Sequence, residues 1–207
     1  MKKSRKRIIV TAAVIVGLLL VALVGGSGYF CYRTLNPDRM NDIHWLEEQY
    51  PHVVGWIDSI RQNDRLHDIY RPNARGEQLH ALWLRAPQPT PRTAVLLHGY
   101  EGAAEAMFMI GYLYNHDLGY NVLMPDLRGH GKSQPRAVSM GWTERGEVLD
   151  WIRTADSLFG PKARVVVHGI SMGAAATMIV CGEESLPASV RCAVEDCGYT
   201  STYDIFH

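Results

Sequence analysis

Three kinds of hydrophobic pattern divide the chain. Ile8 to Val24 is apolar throughout apart from Thr11 and Gly17, and no charge follows until Arg33. Coiled as a helix, Ile8 to Phe30 would span roughly 34 Å, enough for a hydrocarbon layer of about 30 Å. From residue 36 to 64 the period becomes that of a surface helix. Trp45, Leu46, Val53, Trp56, Ile57 and Ile60 form a stripe, and Pro51 divides it into Asp42–Tyr50 and His52–Arg61. Leu66–Tyr70 and Leu79–Arg85 read as an antiparallel pair joined through Asn73-Ala74-Arg75-Gly76. Past the stiff connector Pro87-Gln88-Pro89-Thr90-Pro91, short apolar runs alternate with helical stretches. The runs are Thr93–His98, Asn121–Pro125, Arg164–His168 and Arg191–Glu195. The stretches between them are Ala103–Asn115, Thr143–Leu158 and Ser171–Cys181.

Strands that are apolar on both faces and separated by helices predict an α/β fold, with a mostly parallel sheet and helices on both faces. Ligands bind such sheets beyond the carboxyl ends of the strands. The residues found there are His98-Gly99-Tyr100, Asp126-Leu127-Arg128-Gly129, Gly169-Ile170-Ser171 and Asp196-Cys197-Gly198. The polar chemistry thus gathers at one edge.

Charge and cysteine content narrow the function classes. Lysine plus arginine and aspartate plus glutamate both total 21, but five of the bases lie in the first seven positions, which leaves 16 bases against 21 acids from residue 8 onward. A mildly acidic body excludes nucleic acid as the expected partner. Cys31, Cys181, Cys192 and Cys197 form no metal-binding spacing. An extended chain would hold Cys192 and Cys197 roughly 16 Å apart, whereas a disulfide needs Cα atoms within about 7 Å. Buried or idle thiols are expected, with a pairing of Cys181 as the alternative. The basic residues before Ile8 should stay in the cytoplasm. The expected layout is a cytoplasmic segment 1–7, a transmembrane signal-anchor 8–30, a helical juxtamembrane segment 31–64 and the N-terminal portion of the α/β domain, 65–207, outside the cytoplasm. A cleaved signal peptide is the alternative, and it exports the same domain.

Gly169-Ile170-Ser171-Met172-Gly173 fits Gly-x-Ser-x-Gly. The string alone is weak; its position after a buried strand and at the opening of a helix is the context the chemistry needs. A serine projected from a sharp turn requires a strained backbone and neighbours without side chains. The helix beginning there points its free N–H groups at developing negative charge.

With His98-Gly99-Tyr100 after the third strand, Asp126-Leu127-Arg128-Gly129-His130-Gly131-Lys132-Ser133 after the fourth and the Ser171 elbow after the fifth, the chain resembles the α/β-hydrolase superfamily over about Leu66 to Asp204. It looks most like the lysophospholipase and serine-aminopeptidase-like branch. The resemblance implies that Ser171 is the acyl-accepting nucleophile, with the backbone N–H groups of Met172 and Tyr100 as oxyanion donors. It also implies cleavage of an ester or amide in a small-molecule, lipid or peptide substrate, through an acyl-enzyme and with no cofactor or metal. The family's acid and histidine normally follow the seventh and eighth strands, so both are expected beyond His207, with the last strands of the sheet. Asp196 is a minor candidate for the acid and otherwise a loop-organising carboxylate; His207 is set aside as a base. His98, His130 and His168 are expected to be satisfied structural histidines, and Asp126 and Arg128 to fix the turn after strand four. The competing functions are a catalytically inactive hydrolase fold that acts as an interaction module on the membrane, and an acyltransferase.

Overall fold

The computed structural model describes residues 2–38 and 44–205, in two compact units divided between Asn36 and Pro37. Asp42 and His207 lie outside the described residues.

The first unit is one helix, α1 (Lys2–Leu35), longer at both ends than the apolar run implies. Its Arg5–Leu35 portion is long and apolar enough to cross a membrane, a test that a signal sequence also passes.

The second unit is built on a six-stranded sheet: β1 (His67–Pro72), β2 (Gln78–Leu84), β3 (Arg92–Leu97), β4 (Asn121–Pro125), β5 (Arg164–Ile170) and β6 (Val190–Asp196). The spatial order is β1-β2-β4-β3-β5-β6. The pairings β1 with β2 and β2 with β4 are antiparallel, and the remaining neighbours run parallel. This is the expected mostly parallel sheet, with the lead-in pair at one edge.

Both faces of the central strands β3, β4 and β5 are covered, whereas β6 at the edge is largely exposed. Val95, Leu97, Leu123, Val165 and Val167 face α5 (Glu144–Phe159) and α6 (Met172–Cys181), around Trp151 and Ile152. Ala94, Leu96, Val122 and Met124 face the opposite layer, formed by α2 (His44–Gln49), α3 (Pro51–Gln62) and residues 104–117. Burying each large side chain in these layers contributes about 1.5–3 kcal/mol relative to leaving it in water. Alternate strand residues point to opposite faces, which is why every residue of β4 is buried. Leu46, Val53, Trp56, Ile57 and Ile60 belong to this core, so α2 and α3 pack on the sheet within the second unit; Trp45 stays 37% exposed.

The segment expected as one helix over Ala103–Asn115 is three short pieces: a 3-10 turn (Ala104–Met107), α4 (Phe108–Tyr112) and a π-type turn (Leu113–Asp117). Asn115 is fully buried, and its amide donates to the carbonyls of Arg85 and Tyr120. Satisfying those carbonyls draws one more residue into the final turn. The four thiols are free and exposed; none is buried, and none is bridged.

Candidate active site

Ser171 stands between β5 and α6 with φ 53° and ψ −112°, outside the regions open to ordinary residues. Such a conformation costs on the order of 1–3 kcal/mol. The glycines on either side show why the chain tolerates it. A Cβ on Gly169 would lie 2.1 Å from the Gly173 carbonyl oxygen, and one on Gly173 would lie 2.2 Å from that of Leu97. The turn therefore packs against both its own helix and the end of β3. The Ser171 N–H donates to the Asp196 carbonyl at 2.8 Å, and its carbonyl accepts from Ala175 N–H at 3.0 Å. The hydroxyl lies on the side of the loop after β3: a Cβ on Gly99 would stand 3.4 Å from Ser171 Cβ and 4.0 Å from its Oγ. Tyr100 belongs to that loop, and Met172 is buried as the first residue of α6.

Two histidines hold the β3 loop against the β4 loop reciprocally. His98 Nε2 accepts from Leu127 N–H at 2.9 Å, while its Nδ1 faces the Gly99 carbonyl at 2.7 Å and must donate to it. His130 Nε2 accepts from Glu101 N–H at 3.0 Å, and its Nδ1 donates to the Arg128 carbonyl at 2.8 Å. Each loop thus supplies the imidazole that captures an amide of the other, with ring centres 4.9 Å apart. Both rings are fully buried and function as the neutral Nδ1–H tautomer. Burial pushes the His98 pKa down, and burial together with neighbouring His98 brings His130 down to about 4. Gly102 N–H closes the β3 loop onto Gly99, and Glu101 takes a left-handed φ of 62° at its tip.

Asp126 anchors the base of the same region. Its Oδ1 accepts from Ala104 N–H and its Oδ2 from Lys132 N–H, both at 2.7 Å, and Oδ2 also meets His80 Nδ1 at 2.6 Å. The chain wraps this carboxylate so tightly that a Cβ on Gly131 would fall 2.1 Å from its carbon. Burial alone would raise the Asp126 pKa; the hydrogen bonds from His80, Ala104 and Lys132 outweigh it and hold the group below the usual carboxylate range. Arg128 reaches away from the serine to Glu147 on α5 at 2.7 Å and to Glu77 at 3.2 Å. Fully buried Glu144 accepts from Ser139 N–H, Ser139 Oγ and Gly141 N–H, fixing the loop before α5. A cavity of about 460 Å³ opens between that loop, the Ala175-Met178-Ile179 face of α6 and residues 199–202.

Other expected residues sit differently. His168 points to the α4 face, 3.2 Å from Tyr114 Oη, and its buried Nε2 has no hydrogen-bond partner, so it is not fully satisfied. Burial depresses its pKa, against the opposing charge of Asp196. Asp196 is exposed, and it is its main-chain carbonyl that grips the elbow; the carboxylate that organises the following turn is Glu195, which accepts from Gly198 N–H at 2.9 Å. His80 and Asp68 escaped the sequence reading, although a lone histidine within the apolar strand Gln78–Leu84 is itself a signal of a buried polar contact. Among the described residues no group of three or more His, Cys, Asp or Glu could hold a metal ion.

Residues 94–202, more than half of the chain, match the alpha/beta hydrolase family. The chain belongs to that family. The sheet order makes β3 and β5 neighbours, so the β3 loop and the Ser171 turn stand side by side. The uncharacterized protein YqkD of Bacillus subtilis (strain 168) is 27% identical over 168 residues, covering 81% of this chain and 54% of that one. Among solved structures, the Pyrococcus furiosus esterase Pf2001 is similar with a TM-score of 0.61 at 22% identity, covering 82% of this chain and 58% of that one. The alpha/beta hydrolase GrgF from Penicillium sp. sh18 gives 0.54 at 17% identity, over 62% of this chain and 44% of that one. The chain spans about half the length of these relatives. Likeness to the solved structures at this identity is a likeness of fold.

Proposed function

We propose that this alpha/beta hydrolase is a serine hydrolase in which Ser171 attacks the carbonyl of an ester or amide and carries the acyl group as a covalent intermediate. The carrying observation is the strained conformation of Ser171 between two glycines that have no room for a side chain. A protein has no folding reason to hold a serine this way, whereas a nucleophile gains an exposed oxygen at a helix N-terminus. The N–H groups of Met172 and Tyr100 would stabilise the oxyanion. Each such donor typically contributes about 10²–10³ in turnover. The general base and its carboxylate are expected beyond the described residues, with exposed Asp196 the lesser candidate for the acid.

Water then releases the acid product, and the cavity beside α6 supplies an apolar wall for the acyl or leaving group. The esterase Pf2001 supports an ester as the first substrate class to try. The resemblance to lysophospholipases makes a lipid ester a second class. The helix α1 would hold the enzyme at a membrane, with the hydrolase unit on the side opposite the basic N-terminus.

A fluorophosphonate probe should label the full-length protein on Ser171, and Ser171→Ala should abolish the labelling. A folded full-length protein that resists the probe would refute the proposal and favour a catalytically inactive interaction module.

A further inference from the structure

His80 lies on β2, outside every motif that carries the hydrolase resemblance, yet it is only 1% exposed and both of its ring nitrogens meet carboxylates. Nδ1 stands 2.6 Å from Asp126 Oδ2, and Nε2 stands 2.7 Å from Asp68 Oδ1. Asp68 is held below its ordinary pKa chiefly by a hydrogen bond from Lys132, against partial burial and with help from His80. Asp126 is held below its own, as described. Ionised carboxylates only accept hydrogen bonds, so the buried Asp126 oxygen takes its bond from a proton on Nδ1. Its own main chain completes the grip: His80 N–H donates to Ser133 Oγ, Ser133 Oγ donates to the Asp126 carbonyl, and Asp126 N–H donates to the His80 carbonyl. Tyr70 from β1 stacks obliquely on the ring, with centres 4.8 Å apart.

We infer that His80 is a positioning residue for the oxyanion loop, acting from β2 through its Nδ1–H bond to Asp126. Asp126 is the one side chain that pins both the Ala104 amide, just past the β3 loop, and the Lys132 amide, which closes the turn bearing His130. His130 in turn holds Glu101, the neighbour of Tyr100. Two routes therefore lead from Asp126 to the loop opposite Ser171. Losing the Nδ1–H bond would leave Asp126 with fewer donors in a buried site, and the carboxylate would turn toward water at the cost of its hold on these amides. The Nε2 bond runs outward, to a half-exposed acid that Lys132 Nζ also binds, and it does not bear on the loop.

The inference rests on the Ser171 reading, and it is testable because the two ring nitrogens can be mimicked one at a time. In the full-length protein, the amide nitrogen of His80→Asn falls near the place of Nδ1, and that of His80→Gln near the place of Nε2. With p-nitrophenyl acetate as probe, His80→Asn should keep kcat within about 3-fold. His80→Gln should lose about 10- to 100-fold in kcat with KM within about 2-fold, the pattern of a misplaced oxyanion donor. Inhibition by phenylboronic acid, a mimic of the tetrahedral state, should weaken in the same order. His80→Gln loses the buried bond to Asp126 and His80→Asn only the half-exposed one to Asp68, so His80→Gln should melt lower, while a purely structural role would leave the kcat of both folded variants equal. Equal turnover in the two variants, or a loss carried by KM, overturns the inference. If neither variant folds, nitrogen NMR of the wild-type protein labelled in histidine decides: the Nδ1 of His80 should carry the proton of the bond to Asp126, and an Nδ1 without a proton overturns the inference. Absence of fluorophosphonate labelling in the wild type would remove the Ser171 reading and this inference together, whereas labelling with indistinguishable variants removes the inference alone.

Discussion

Acidification should loosen the paired loops through His130 in particular. Its pKa falls from an ordinary 6.5 to about 4 because burial, and then neighbouring His98, disfavour the charged ring. The neutral ring is required chemically, since Nε2 must offer a lone pair to Glu101 N–H. A histidine with a depressed folded-state pKa binds fewer protons folded than unfolded. Its stabilising contribution is therefore complete above pH 6.5 and is lost as pH falls toward 4. The slope within that window is about 1.4 kcal/mol per pH unit, so lowering the pH from 7 to 5 should cost about 2 kcal/mol through this residue alone. His98 is depressed in the same direction and adds to the slope. The assay is denaturant unfolding of the purified protein at pH 7 and pH 5, followed by tryptophan fluorescence. His130→Gln, whose amide oxygen can accept from Glu101 but does not titrate, should be less stable at pH 7 and lose about 2 kcal/mol less between the two pH values. A wild type equally stable at both pH values, or a variant with an unchanged slope, would refute the pairing of buried neutral histidines.

Two further outcomes follow from geometry. Ser171→Gly relieves a φ of 53° and ψ of −112°, so it should stabilise the fold by about 1 kcal/mol in thermal or denaturant melts while removing any labelling at this position. Arg128→Ala leaves Glu147, raised in pKa chiefly by burial, without its 2.7 Å partner, and unfolding measurements should show a loss of about 3–5 kcal/mol, partly restored by adding Glu147→Gln.

The fold was legible wherever packing imposes a period. Three buried strands announced themselves as apolar runs, because strands covered on both faces cannot alternate; β6, read in the same way, lies at the edge of the sheet and is largely exposed; and glycines at 169 and 173 betrayed the elbow, because only a backbone in contact excludes a Cβ. The helical periodicity of Val148, Ile152 and Ala155 located α5, which starts at Glu144, one residue after the expected Thr143. Less was legible where single side chains override periodicity. In the irregular turn before Leu118, Asn115 answers one nearby and one distant carbonyl, and no local pattern announces a partner 30 residues away. Glu144 and His80 act through contacts with loops of irregular backbone, so those partners are set by the fold and not by helix or strand geometry. The partner of His98 was hidden for the same reason: Leu127 offers a main-chain amide, which every residue carries.

The strand order has a consequence for synthesis. β3 pairs on one side with β4, which follows soon in the chain, but its other neighbour is β5, which begins only at Arg164. At roughly 5–20 residues per second, a ribosome needs on the order of 4–15 s to pass from Leu97 to Ile170. Through that interval β3 waits with one flank unpaired, a row of Ala94, Val95, Leu96 and Leu97 that ends up wholly sequestered. The nascent chain is therefore adhesive through that interval, and the Ser171 turn gains its place beside the β3 loop only when β5 slots in next to a strand made well before it.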